Sequence, residues 1–273
     1  MAFRKDIDSP GKMIAAIRSC GIIPLFSCSV PGWSIQDMTA PGCWFDDGDD
    51  SVLGPWDWKV DAVQEGDIAY GKFLGGKAAF ATVPVYRELM NYRRSLPRYR
   101  MAVRDPYKAS TAADRLMRIL APAALEAIRE AGALESRELR LACSAAVSES
   151  QKRSLGARYR AMLTPGVRKN VMDSVVQFLQ MGTWTVIGDI KRVYRGPDLH
   201  YNGWQLASHT TPDSLFVEEP GSGEAPFWAA RFTDAHAKDE SPAKAPLESR
   251  EAVVQSIHSL FPHAEEAAIR RFI

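Results

Sequence analysis

An α+β fold is predicted by three features of this 273-residue chain. Apolar residues recur at helical spacing in several stretches, and short runs of β-branched and aromatic residues stand between them. Glycine-centred turns join pairs of those runs, as antiparallel hairpins require. The clearest stretch, from about Thr111 to Thr211, orders these signals as helix, short helix, helix, hairpin. That is the order of a winged helix, a relative of the helix-turn-helix DNA readers. Apolar content of 46% and charged content of 25% are ordinary for a globular protein. The length suffices for one large or two modest domains with an ample core.

Taken in order, Ser9-Pro10 starts a helix that runs through Cys20, with Met13, Ile14 and Ile17 inward and Gly21 ending it. Ile22 to Phe26 is a brief apolar run, and residues 31 to 58 are aromatic and turn-rich. Asp67 to Val83 reads as a hairpin around Gly75-Gly76. Pro84 then opens a helix through Tyr92, with Arg93, Arg94, Arg98, Arg100 and Arg104 at its exit. Residues 1–108 are thus expected to form an N-terminal, irregular winged-helix-like domain.

Residues 109–212 are expected to form the winged-helix domain proper. Thr111-Ala-Ala-Asp114 starts its first helix, whose stripe is Leu116, Ile119, Leu120, Ala123, Ala124 and Ile128. Pro122 is expected to split or kink that helix, and Gly132 to stop it. Ser136 is expected to cap the second helix, and Thr164-Pro165 to open a third that ends near Gly182. Thr183 to Val193, a turn at Gly196-Pro197-Asp198, and Trp204 to Thr210 supply the hairpin. Residues 213–246 are polar and proline-bearing, hence loop or linker, and residues 247–273 read as a C-terminal helical pair broken at Pro262. No internal sequence repeat stands out.

Net charge is only +1, so any attraction to nucleic acid has to come from a local patch. Such a patch is legible. Between Ser150 and Met172 stand Lys152, Arg153, Arg158, Arg160, Arg168 and Lys169, with no acidic residue. Lys191, Arg192 and Arg195 follow on the hairpin. The third helix sets Val167, Val171, Val175 and Leu179 on one stripe and Lys169, Asn170, Asp173, Gln177 and Gln180 opposite. Arginine and lysine neutralise phosphates, whereas asparagine and glutamine offer paired groups to adenine edges. The candidate DNA-binding set is therefore Arg153, Arg158, Arg160, Arg168, Lys169, Asn170, Gln177, Lys191, Arg192 and Arg195, and the expected partner is double-stranded DNA.

The competing reading is a winged-helix regulator or protein-interaction scaffold with an aromatic ligand pocket. Trp44, Trp56, Trp58 and Lys59 would line that pocket and hold a small-molecule ligand. Catalysis has weaker candidates in Asp46, Asp47 and Asp57, carboxylates beside rings that could hold an extruded base. Glycine comes third in the acidic loop rather than sixth, which argues against a calcium loop. His200 and His209 lack zinc-ligand spacing, and Gly71 to Gly76 lacks the ending of a phosphate loop, so neither metal nor cofactor is expected. The four cysteines show no C-x-x-C spacing, no run approaches the length needed to span a bilayer, and the N-terminus lacks a signal-peptide core. A cytoplasmic protein is the expectation.

The segment Ala69 to Pro84, followed by Tyr86 and Asn91-Tyr-Arg-Arg94, resembles the strand–strand–proline–helix segment of AlkZ-type winged-helix proteins. Gly132 to Thr211 looks like one of their later winged helices. The resemblance implies tandem winged helices, DNA as partner, and a relation to bacterial glycosylases that act on alkylated and crosslinked bases. Those enzymes carry a Gln-x-Gln or Gln-x-Asp pair shortly after the first helix, where this chain reads Gly21-Ile-Ile-Pro-Leu-Phe26. Such a run cannot orient or deprotonate water. Gln36-Asp37 lies further along. The resemblance therefore implies DNA binding more strongly than glycosidic cleavage.

Overall fold

The computed structural model describes residues 5–44, 53–101, 106–197, 199–216 and 244–273, and the architecture is α+β, with helices around two three-stranded antiparallel sheets. In the first half, α1 (Pro10–Cys20) leads through Gly21 into β1 (Ile22–Pro24). Gly21 has φ 69°, a conformation that glycine adopts without the steric cost of a Cβ. Then come α2 (Ile35–Met38), α3 (Pro55–Gln64), β2 (Ile68–Leu74), β3 (Lys77–Thr82) and α4 (Val83–Ser95). The two-residue turn Gly75-Gly76 has both φ angles positive, as the tightest hairpins demand. Strand β1 pairs with β3 through Ile22↔Ala81 and Pro24↔Ala79, so the order is β1–β3–β2.

The second half repeats that plan. It runs α5 (Ala112–Ala131), β4 (Ala133–Glu135), α6 (Ser136–Ala146), short α7 (Glu149–Arg153) and α8 (Ala157–Arg160), α9 (Lys169–Met181), β5 (Val186–Arg195) and β6 (His200–Thr210). Its sheet order is β4–β6–β5, so here too the first strand pairs with the third. The repeat that the residues conceal is present in topology. After the turn α10 (Pro212–Leu215), α11 (Pro246–Leu260) and α12 (Glu266–Arg270) close the described chain.

Three local expectations are corrected. Helix α5 runs through Pro122 as one helix, so the expected split does not occur. A helix-interior proline costs about 3 kcal/mol, whereas each fully buried leucine or isoleucine contributes about 1.5–3 kcal/mol. Leu116, Ile119, Leu120, Leu125 and Ile128 are all buried on α5, so packing outweighs the lost bond. Helix α6 is capped by Glu135, with Glu138 completing a capping box, and Ser136 is its first helical residue. Helix α9 starts at Lys169 rather than at Thr164-Pro165. The Val167 N–H is taken by Ser144 Oγ at 2.9 Å and the Arg168 N–H by Met162 O at 3.0 Å, which holds that stretch in a turn.

Two hydrophobic clusters result. The first gathers α1, the first sheet, α3 and α4, together with Val186, Ile187 and Ile190 of β5 and Val253, Val254, Ile257, Ile269 and Phe272 from the C-terminal helices. The second joins α5, α6 and α9 through residues such as Leu120, Leu139, Cys143, Val175 and Leu179. The second hairpin and the C-terminal helices thus share the core of the first half. No helix among the described residues is long and apolar enough to cross a membrane.

His209 lies in the second sheet between Leu134 and Ile187, with its Nε2 3.0 Å from Ser136 Oγ. Burial, helped by the nearby Lys72, pushes its imidazolium pKa down to about 4 from 6.5. Between those values the unfolded chain binds a proton that the folded chain refuses. Stability is therefore intact above pH 6.5 and falls as the pH drops towards 4, by about 3 kcal/mol from this group. Urea midpoints measured from pH 7 to 4.5 are expected to fall less steeply for His209→Asn than for the wild type. Parallel profiles for the two proteins would refute that role.

Candidate nucleic-acid interface

The basic run predicted from the sequence becomes an exposed edge of the second half. Arg153 ends α7, Arg158 and Arg160 lie on α8, and Arg168, Lys169 and Asn170 lead into α9, all exposed. Among the described residues none of these five cations is held in a salt bridge. Lys152, by contrast, pairs with Glu149 at 2.6 Å. The edge is braced from beneath, since the Arg115 guanidinium of α5 donates to Ser154 O at 2.6 Å. Arg160 donates to Leu155 O at 3.4 Å and Arg158 lies 5.9 Å from the Tyr159 ring, so these arginines can meet phosphates without first breaking ion pairs.

The polar face of α9 is divided. Gln180 is buried, and its Oε1 accepts the Lys72 N–H of β2 at 2.8 Å. Gln177 lies against Gly76 at the tip of the first hairpin, where a Cβ would sit 2.3 Å from its Nε2. The Gly76 N–H also meets Met181 Sδ at 3.0 Å. The last turn of α9 thus serves the first half through Gln180 and Met181, whereas Lys169, Asn170, Asp173, Ser174 and Gln177 are exposed.

The hairpin cations separate as well. Lys191 is exposed and 3.8 Å from Glu135. Arg195 is exposed, its guanidinium 5.7 Å from the Trp204 ring. Arg192 is half-buried and turned to α3, donating to Asp57 O at 3.0 Å and to the Asp61 carboxylate at 3.1 Å. Alternation along the strand explains this, because successive residues face opposite sides of a sheet.

Of the expected pocket residues, Trp58 and Lys59 are interior and Trp44 and Trp56 are half-buried. Trp58 is buried in the first core, while Trp44 and Trp56 pack against it around Phe26, at ring separations of 5.9 and 6.4 Å. Lys59 is buried, its Nζ donating to Trp56 O at 2.5 Å and lying 3.2 Å from the centre of that ring. Burial pulls its pKa down to about 7, with Asp57 opposing. Of the candidate carboxylates, Asp46 and Asp47 lie outside the described residues. Asp57 accepts from the Tyr201 hydroxyl and from Gln205 Nε2, the latter at 3.2 Å, so it joins α3 to β6. Burial first, then the Asp57 bond, pushes the Tyr201 hydroxyl up to about 12.

Gln36 and Asp37, which lie further along in the sequence, are brought back to the end of β1. Gln36 Oε1 accepts the Ser27 N–H at 3.0 Å, and Ser27 Oγ donates to Asp37 Oδ1 at 2.6 Å. Helix α2, capped by Ser34, brings both side chains back beside Phe26 and Ser27. Only the Ser34 cap, three residues ahead of Asp37, signals this return in the sequence.

The chain is thus an α+β protein of two halves with one plan, the second carrying an exposed cationic edge. Residues 7–273 match the family described as AlkZ related, and the chain belongs to the AlkZ-related family. The resemblance carried by Ala69 to Arg94 is borne out. Comparison with curated proteins and with solved structures returns no match.

Proposed function

We propose that this chain is a duplex-DNA-binding protein built from two winged-helix units, acting where alkylated or crosslinked DNA is handled. The observation that carries the reading is the edge of Arg153, Arg158, Arg160, Arg168 and Lys169, exposed and outside any salt bridge among the described residues. Family membership supports DNA as the partner. The element order of the second half supports a winged helix, with α9 and the β5–β6 hairpin as the parts nearest the DNA. The reading is of binding rather than bond cleavage, because buried Ile23, Pro24 and Leu25 carry no group that could activate water, and the Gln36 and Asp37 side chains that return beside them are engaged with Ser27. The scaffold reading has less support, since Trp58 and Lys59 are interior.

Fluorescence anisotropy against a labelled duplex tests the proposal. Binding is expected at about 50 mM salt, where surface electrostatics are weakly screened, and it should weaken steeply as salt rises. An unchanged signal at that low salt overturns it.

A further inference from the structure

Beside the cationic edge, the starts of α6 and α9 and the strand β6 enclose a groove of about 380 Å³. Arg137 and Arg140 of α6 and Lys169 of α9 line it, and none of the three is held in a salt bridge among the described residues. The opposite wall is Trp204, 53% exposed, and Leu206, 40% exposed. Their neighbour Gln205 faces the other way, donating to Trp56 O at 3.3 Å and to Asp57. The strand therefore presents Trp204 and Leu206 to the groove while Gln205 and Tyr201 dock on α3. Two carboxylates border the site. Glu135 is turned to the end of α6 as its cap, which leaves Asp173 against the three cations.

We propose that this groove takes one unpaired nucleotide of a nucleic-acid strand, its base on the Trp204 ring and its phosphates against Arg137, Arg140 and Lys169. The volume falls within the roughly 300–1,000 Å³ of small-ligand sites. Stacking on an indole needs an exposed base face, which every unstacked base offers and an intact duplex hides. Arg195, 5.7 Å from the Trp204 ring, adds a cation at the same wall. Lys169 belongs to both the groove and the cationic edge, so the site deepens the duplex-binding reading and rests on it: the duplex is held along the edge and an unpaired base enters the groove. An acidic peptide would satisfy the cations but has less use for the indole face.

The test compares a labelled oligothymidylate of about 12 nucleotides, a length in the range that single-strand sites cover, with a duplex at the same salt. Trp204→Ala is expected to weaken oligothymidylate binding roughly tenfold or more, and duplex binding by less than about twofold. Trp204→Phe keeps a ring and is expected to keep most of the affinity. Because Trp204 is half-exposed, the variants should melt with the wild type, and matching thermal transitions check this. Equal loss on both nucleic acids, or no change on either, overturns the groove proposal. So does displacement of the oligothymidylate by polyglutamate as readily as by unlabelled oligothymidylate. Absence of duplex binding with Trp204-dependent oligothymidylate binding rejects the duplex reading while the groove stands.

Discussion

Replacing Arg93 by alanine is expected to lower stability by roughly 4 kcal/mol or more, enough to abolish soluble folded protein if the wild type is only marginally stable. Arg93 is 1% exposed, at the last turn of α4. Its guanidinium donates to Phe73 O of β2, to Met181 O at the end of α9 at 2.8 Å, and to Phe272 O and Ile273 O at 2.6 and 3.3 Å. One side chain thus fastens the first hairpin, the second half and the C-terminal segment together. Truncation leaves buried carbonyls without donors, each costing about 1–3 kcal/mol. Burial pushes the guanidinium down to about 10, yet it stays charged at neutral pH, held by the main-chain oxygens it donates to. Arg93→Lys keeps the charge but not the planar fork, so an intermediate loss is expected. Urea unfolding of the wild type and the lysine variant gives the measurement, with soluble yield for alanine. An alanine variant with the wild-type midpoint would show that the carbonyls find other donors.

Neutralising Arg153, Arg158, Arg160 and Arg168 together, each to glutamine, is expected to weaken duplex binding roughly a hundredfold at about 0.1 M salt. The physical basis is counterion release, which contributes a log–log salt slope of about 0.9 per phosphate contact, so the slope should flatten by roughly three to four. All four residues are exposed, and exposed substitutions away from packing usually shift stability by about 0.5 kcal/mol or less. The quadruple variant should therefore keep the wild-type circular dichroism and thermal transition. A salt slope equal to that of the wild type would place the contacts elsewhere. A fall in affinity at an unchanged slope would point to altered shape rather than lost phosphate contacts.

Several elements were legible because their causes are local. The Thr111 cap accepts the Asp114 N–H at 3.1 Å, and Gly132 ends α5 at φ 75°. The Gly75-Gly76 turn, the β5–β6 hairpin and the stripe of α9 each depend on a few neighbouring residues. The exposed arginines from Arg153 to Arg168 were legible for the same reason, since a basic run with no apolar period has no core to enter. The start of α9 was not legible, because Ser144, twenty-three residues before Val167, takes the N–H that would have joined a longer helix. Pro122 misled because burial of the α5 stripe is a property of α6 and α9, not of the residues beside the proline.

By itself, then, the sequence determined the α+β class, the three main helices and the hairpin of the second half, the basic run and the family, but not β4, α7 or α8. Tertiary structure alone decided which polar and aromatic residues remain available. Gln180 meets the first hairpin, Arg192 turns to Asp61, Trp58 enters the core, and Gln36 and Asp37 return to Ser27. The reason is one of range. Caps, glycine turns and periodicity act over a few residues, whereas the partner of a polar side chain is set by docking between segments that can lie more than a hundred residues apart, as Gln180 and Lys72 do.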